Sequence, residues 1–99
     1  MSKIMERMTS KEYKLLLQMY KVQVEMPDGR KYVPVSQREL SDILGISPMT
    51  VNSYFKFFSE NGLIEPFEEK KSRYYLTEKA RVLLESFEKA RKVEEGIYE

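Results

Sequence analysis

Met49, Thr50, Asn52, Ser53 and Lys56 hold the most informative chemistry in this chain. An asparagine amide sets a donor beside an acceptor and can pair with both hydrogen-bonding atoms on the edge of an adenine. Serine and threonine hydroxyls pair less selectively, and a methionine side chain can touch a thymine methyl. With Val51 at the centre of an inward helix face and about 100° per residue, Tyr54, Phe55 and Phe58 turn in with it. Met49, Asn52, Ser53 and Lys56 then face out, with Thr50 on the flank. On an arbitrary amphipathic helix such a face is merely solvated, so its meaning depends on the surrounding elements.

Other chemistries are excluded or unsupported. Cysteine, histidine and tryptophan are absent from the 99 residues. That removes thiolate nucleophiles, Cys/His zinc sites, imidazole acid–base catalysis and disulfides. The paired acids Glu68/Glu69 and Glu94/Glu95 lie in polar stretches, not in a predicted cleft. No glycine-rich phosphate loop is present, and no serine has a histidine partner. We therefore expect no enzyme, no cofactor and no metal. Apolar residues make up 41% and charged residues 33%, the balance of a single globular domain. No apolar run approaches the roughly 18 residues of a membrane span, and a cytoplasmic protein is expected.

The formal net charge of +1 conceals an uneven distribution. The last six residues carry three acids and no base, leaving 17 bases against 13 acids in the first 93. Lys70, Lys71, Arg73, Lys79 and Arg81 face one acid, Glu78, between positions 70 and 81. Such a cluster is either a small anion-binding surface or a solvated face.

The elements that must position these groups are legible from caps and turns. Thr9–Glu12 reads as a capping box, followed by Tyr13, Leu16, Leu17 and Tyr20 on one helix face. Pro27-Asp28-Gly29 is a turn. Val22, Val24 and Met26 before it, and Val33 and Val35 beyond it, alternate, so a hairpin there is an alternative to a longer helix. Ser36–Glu39 is a second capping box, opening a helix with Leu40, Ile43 and Leu44 inward. Gly45 breaks it. Ser47 and Pro48 start the next helix, which runs to about Asn61. Residues 63–67 and 73–76 read as short strands around a charged tip at 68–72. Thr77 caps a last helix with Ala80, Leu83, Leu84 and Phe87 on one stripe. The set is an α+β domain.

The string from Glu39 to Phe58 resembles a helix-turn-helix. The match rests on Gly45, on small Ser41 where the second helix passes close, and on Leu40, Leu44, Ile46, Val51, Phe55 and Phe58. Ser41 stands where alanine is usual, and its hydroxyl is expected to bond back to the Gln37 carbonyl. With Gly62-Leu63-Ile64-Glu65, the basic tip and Arg73-Tyr74-Tyr75-Leu76 following, the order is similar to winged helix-turn-helix regulators of MarR or PadR type. The resemblance implies a three-helix core plus a β-wing, with an extended C-terminal helix. It implies double-stranded DNA as partner, with Met49, Thr50, Asn52 and Ser53 reading bases. Gln37, Arg38, Ser47, Lys56, Lys70, Lys71 and Arg73 would meet phosphates, the alternative for Arg38 being an ion pair with Asp42.

In MarR-like proteins the terminal helices build the subunit interface. This implies a homodimer through Ile4, Met5 and Met8 at one end and Leu83, Leu84, Phe87 and Ala90 at the other, on a near-palindromic site. The organisation expected is a lead-in at 1–8, a winged domain at 9–76, a dimerisation helix at 77–95 and an acidic tail at 96–99. The functional expectation is a sequence-specific regulator acting as a repressor. The alternatives are a winged-helix protein-interaction module and a viral or plasmid replication or packaging accessory protein.

Overall fold

The structure is a computed structural model describing residues 10–94. Helix α1 is Ser10–Val22, strand β1 Val24–Glu25, strand β2 Lys31–Tyr32, helix α2 Gln37–Leu44 and helix α3 Pro48–Glu60. Strand β3 is Ile64–Pro66, strand β4 Tyr74–Leu76 and helix α4 Glu78–Glu94. Thr9, Ile4, Met5 and Met8, and with them the first capping box and the N-terminal half of the expected dimer contact, lie outside the described residues.

Helix α1 buries Leu15, Leu16 and Met19, while Tyr13 and Leu17 are half-buried and Tyr20 is exposed. The buried stripe is therefore rotated from the expected one, which ran through Tyr13, Leu16, Leu17 and Tyr20. Tyrosine is apolar along its ring and polar at its tip, which favours the rim of a core over its centre. Tyr13 follows this rule: its ring lies 5.0 Å from that of Phe87 and its hydroxyl donates to the Glu88 carboxylate at 2.8 Å.

The turn at Pro27–Gly29 closes a real hairpin, pairing Val24 with Tyr32 and Glu25 with Lys31. Gly29 takes φ +93°, and the Asp28 carboxylate accepts from the Arg30 N–H and from its guanidinium. β3 and β4 form a second antiparallel hairpin, with Ile64 opposite Leu76 and Glu65 opposite Tyr75. An isolated bridge joins the two: Val33 pairs with Tyr74, its N–H donating to the Tyr74 carbonyl at 2.8 Å.

Helix α2 opens with the complete Ser36/Glu39 capping box and stops at Gly45 in the left-handed region. One position differs from expectation: Ile43, expected inward, is 53% exposed, while Leu40 and Ser41 are buried. The Ser41 hydroxyl donates across the turn to the Ile46 carbonyl, not back to Gln37, while the Ile46 N–H returns a bond to the Ser41 carbonyl. A polar side chain taken out of water needs a partner, and the turn supplies one. The helix edge carrying Leu40 and Ser41 is thus the buried one, and that carrying Ile43 is turned to solvent.

Helix α3 starts at the Ser47 cap with Pro48 in its first turn. It buries Val51, Phe55 and Phe58 and ends at Asn61 and Gly62, φ +69°. Thr77 caps α4 through the Ala80 N–H and donates its hydroxyl to the Gly62 carbonyl, pinning the end of α3 to the start of α4. One core joins Leu15, Leu16, Met19, Val33, Leu40, Val51, Phe58, Leu63, Ile64, Ala80, Leu83 and Leu84. Leu83 and Leu84, expected at a subunit contact, thus pack within their own domain, and Phe87 packs on Tyr13 of α1. The length of α4 is explained in part by α1.

Candidate nucleic-acid interface

With Val51, Phe55 and Phe58 committed to the core, the outward face of α3 is set by helix geometry. Met49 is 81% exposed, and Asn52, Ser53 and Lys56 are also exposed. These four stand where their spacing placed them. Thr50 differs: it is half-buried, its N–H donates to the Ser47 hydroxyl at 3.1 Å, and the two hydroxyls lie 2.8 Å apart. Thr50 is first a member of the helix cap. Pro48 lacks an N–H and that of Thr50 is engaged, so the Met49 N–H is left as a donor within the first turn.

The first turn of α2 presents Gln37, half-buried, and Arg38, exposed. Among the described residues Arg38 makes no ion pair, so the alternative contact with Asp42 is not formed. The Glu39 carboxyl is held below the usual carboxylate range, first by the Ser36 backbone N–H, then by the Ser36 side chain, with Arg73 adding a charge.

The second hairpin carries its tip on two successive turns: the Lys70 N–H bonds the Phe67 carbonyl, and the Arg73 N–H bonds the Lys70 carbonyl. Ser72 takes φ +62° to close it. Lys70 and Lys71 project from this tip, exposed. Arg73 does not join them. Its Nε donates to the Pro34 carbonyl at 3.1 Å and another guanidinium nitrogen to the Ser72 carbonyl at 3.3 Å. It anchors the base of the hairpin to the segment before α2, unlike the two lysines at the tip. The clustered bases of 70–81 are likewise not one surface. Arg81 is bound by Glu78 and Glu85, which raise its pKa further.

Arg30 had no expected role. It bridges Asp28, in its own turn, and Glu69, at the wing tip, and its guanidinium lies 5.4 Å from the centre of the Phe67 ring. Glu69 lowers the field at the tip less than its formal charge suggests, because Arg30 offsets it. The Pro-Asp-Gly-Arg spacing contains the first of these contacts. No local pattern contains the second, which spans 39 residues.

Among the described residues no helix is long and apolar enough to cross a membrane. No curated protein matches the chain. Residues 13–82, which run from within α1 into the second turn of α4, match the family described as the Crp-like helix-turn-helix domain. The family found is thus of Crp type, which corrects the MarR or PadR type that the motifs resembled, while the winged α+β architecture is common to both expectations.

Proposed function

The chain belongs to the Crp-like helix-turn-helix domain family, and from that premise we propose that it is a sequence-specific regulator of transcription, acting as a repressor by occupying its site. A domain of this family implies DNA as the partner. The observation that carries the finer reading is the outward face of α3, where Met49, Asn52 and Ser53 are exposed and unspent at the helix's N-terminal half. A helix in the major groove presents that half to base edges.

In this reading Asn52 reads adenine, Met49 meets a thymine methyl and Ser53 contributes a less selective bond. Thr50 reaches a base only through the hydroxyl it shares with Ser47. Lys56, Arg38 and Gln37 meet phosphates beside the helix, with Ser47 and the Met49 N–H at its end. Lys70 and Lys71 carry the wing to the neighbouring backbone or minor groove.

A homodimer would set two α3 helices one DNA turn apart, roughly 34 Å, over a near-palindromic site. Because Leu83 and Leu84 are used in the core, a contact through α4 has to employ its outer side, where Val82 is 51% exposed and Ala90 is exposed.

Selection of duplexes from a random library, with the salt dependence of the selected site, tests the proposal. A consensus of two half-sites one turn apart supports the dimeric regulator. Salt-sensitive binding without a consensus indicates a DNA-processing accessory protein. No enrichment indicates a protein-binding module.

A further inference from the structure

An open cleft of about 640 Å³ lies between the end of α1, the two hairpins and the start of α4, and no residue of α3 lines it. That volume falls in the range of small-ligand sites. Strand alternation places Glu65 and Tyr75, which are opposite each other, on the face away from Ile64 and Leu76. Phe67 lies against the same face, with the Tyr32 ring stacked on it at 4.7 Å and the Tyr75 ring meeting its edge at 6.3 Å. Tyr20, 36% exposed, stands on the opposite wall.

The charges around this aromatic floor are asymmetric. Both arginines at its rim are already bound by two carboxylates each: Arg30 by Asp28 and Glu69, Arg81 by Glu78 and Glu85. Glu65 and Glu68 form no ion pair among the described residues. Glu65 accepts the Tyr75 hydroxyl through one carboxylate oxygen, at 2.6 Å. Lys31 is the lining cation that remains unpaired among the described residues. The Tyr75 phenol is held above its ordinary value, first by that hydrogen bond, then by burial and by the charges of Glu65 and Glu68. Four carboxylates line the cleft, Glu65, Glu68, Glu69 and Glu78, against three cations, Arg30, Lys31 and Arg81.

We propose that this cleft binds a small organic cation with a flat apolar body, its charge against Glu65 and its body between the rings of Tyr20 and Tyr75, since Phe67 below is buried and already covered by Tyr32 and Arg30. Ring faces and a carboxylate attract such a cation together. An anion of equal size meets Glu65 and Glu68 and finds both arginines occupied.

The test is a titration of the isotope-labelled chain, without DNA, with benzyltrimethylammonium, followed by two-dimensional NMR. Benzoate and benzyl alcohol serve as the anionic and neutral ligands of similar shape. Saturable shifts confined to the surroundings of Tyr20, Glu65, Phe67 and Tyr75 are expected for the cation. Glu65→Gln, whose side-chain oxygen still accepts from Tyr75, should weaken binding about tenfold, whereas Tyr75→Phe, which keeps the ring, should change it less than about threefold. An unchanged spectrum away from the cleft verifies that both variants are folded. Equal binding of benzoate or benzyl alcohol, unaltered binding by Glu65→Gln, or no saturation by about 20 mM, weaker than any useful site, overturns the proposal. No DNA is present, so the result stands apart from the outcome of the duplex selection.

Discussion

The helix-turn-helix and the wing are built by opposite means. From Ser36 to Thr50 the polar contacts that shape the motif are local: Ser36 with Glu39, Ser41 with Ile46, Ser47 with Thr50. The wing is tied by partners some forty residues away, Arg73 to Pro34, Arg30 to Glu69 and Val33 to Tyr74. The difference teaches which cations are available for a ligand. Local caps use small hydroxyl residues and leave the long side chains of α3 free. Long-range ties use arginines, whose planar fork holds two acceptors at once, and leave lysines at the tip.

The largest expected effect breaks both regions together. Phe58 is fully buried where α3 meets the core, so Phe58→Ala should cost about 3–5 kcal/mol, measured by chemical denaturation. A loss under about 1 kcal/mol would show that the core does not depend on this ring.

Next, Asn52→Ala should lose about 1–3 kcal/mol on the selected duplex and relax preference at one base position, with stability unchanged. Equal loss on random duplexes would remove Asn52 from base reading. Ser47→Ala should cost about 1 kcal/mol of stability, because it removes the acceptor of the Thr50 N–H. An unchanged denaturation midpoint would mean that water replaces the cap.

The wing divides into tip and base by a paired experiment. Lys71→Ala should reduce the slope of log affinity against log salt by about 0.9 on every sequence. Arg73→Ala should leave the slope as it is and instead lower the denaturation midpoint, since its guanidinium is engaged with backbone carbonyls. The reverse pattern would exchange their roles and end the contrast.

The smallest effect is on pH. Glu39 has its folded-state pKa below the ordinary 4.5, so its contribution is fully present above that value and fades as pH falls through the lower, folded-state one. Glu39→Gln should therefore show a shallower loss of stability between about pH 5 and pH 3 than the parent. Parallel curves would mean that the capping carboxylate is not coupled to folding.

The contrast between the regions also explains what could be foreseen. Ser36, Gly45, Ser47, Pro48 and Gly62 announce their roles because a cap or a left-handed turn is satisfied within a few residues. The outward positions of Met49, Asn52, Ser53 and Lys56 followed from the 3.6-residue period once Val51 was placed inside. The Crp type was not foreseen: the motifs that pointed to MarR or PadR regulators belong to the shared winged architecture. Ile43 was misplaced because periodicity ranks side chains by apolarity alone, and the edge already marked by small Ser41 is the one that is buried. The anchoring of Arg73 to Pro34 was not foreseen, because a basic residue near a basic tip has the same appearance whether it faces solvent or a carbonyl.

The order of elements from Ser36 onward, the three hydroxyl-capped helices, the glycine turns and the outward face of α3 were determined by the amino-acid sequence alone, because each depends on interactions between near neighbours. The rotation of α1, the packing of Leu83, Leu84 and Phe87 within the domain, the bridge from Val33 to Tyr74 and the Arg30 clamp were decided by the tertiary structure. They bring together residues far apart in the chain, and chain-local patterns hold no record of which distant surfaces will meet. The aromatic cleft behind the wing is of the same kind, assembled from α1, both hairpins and α4.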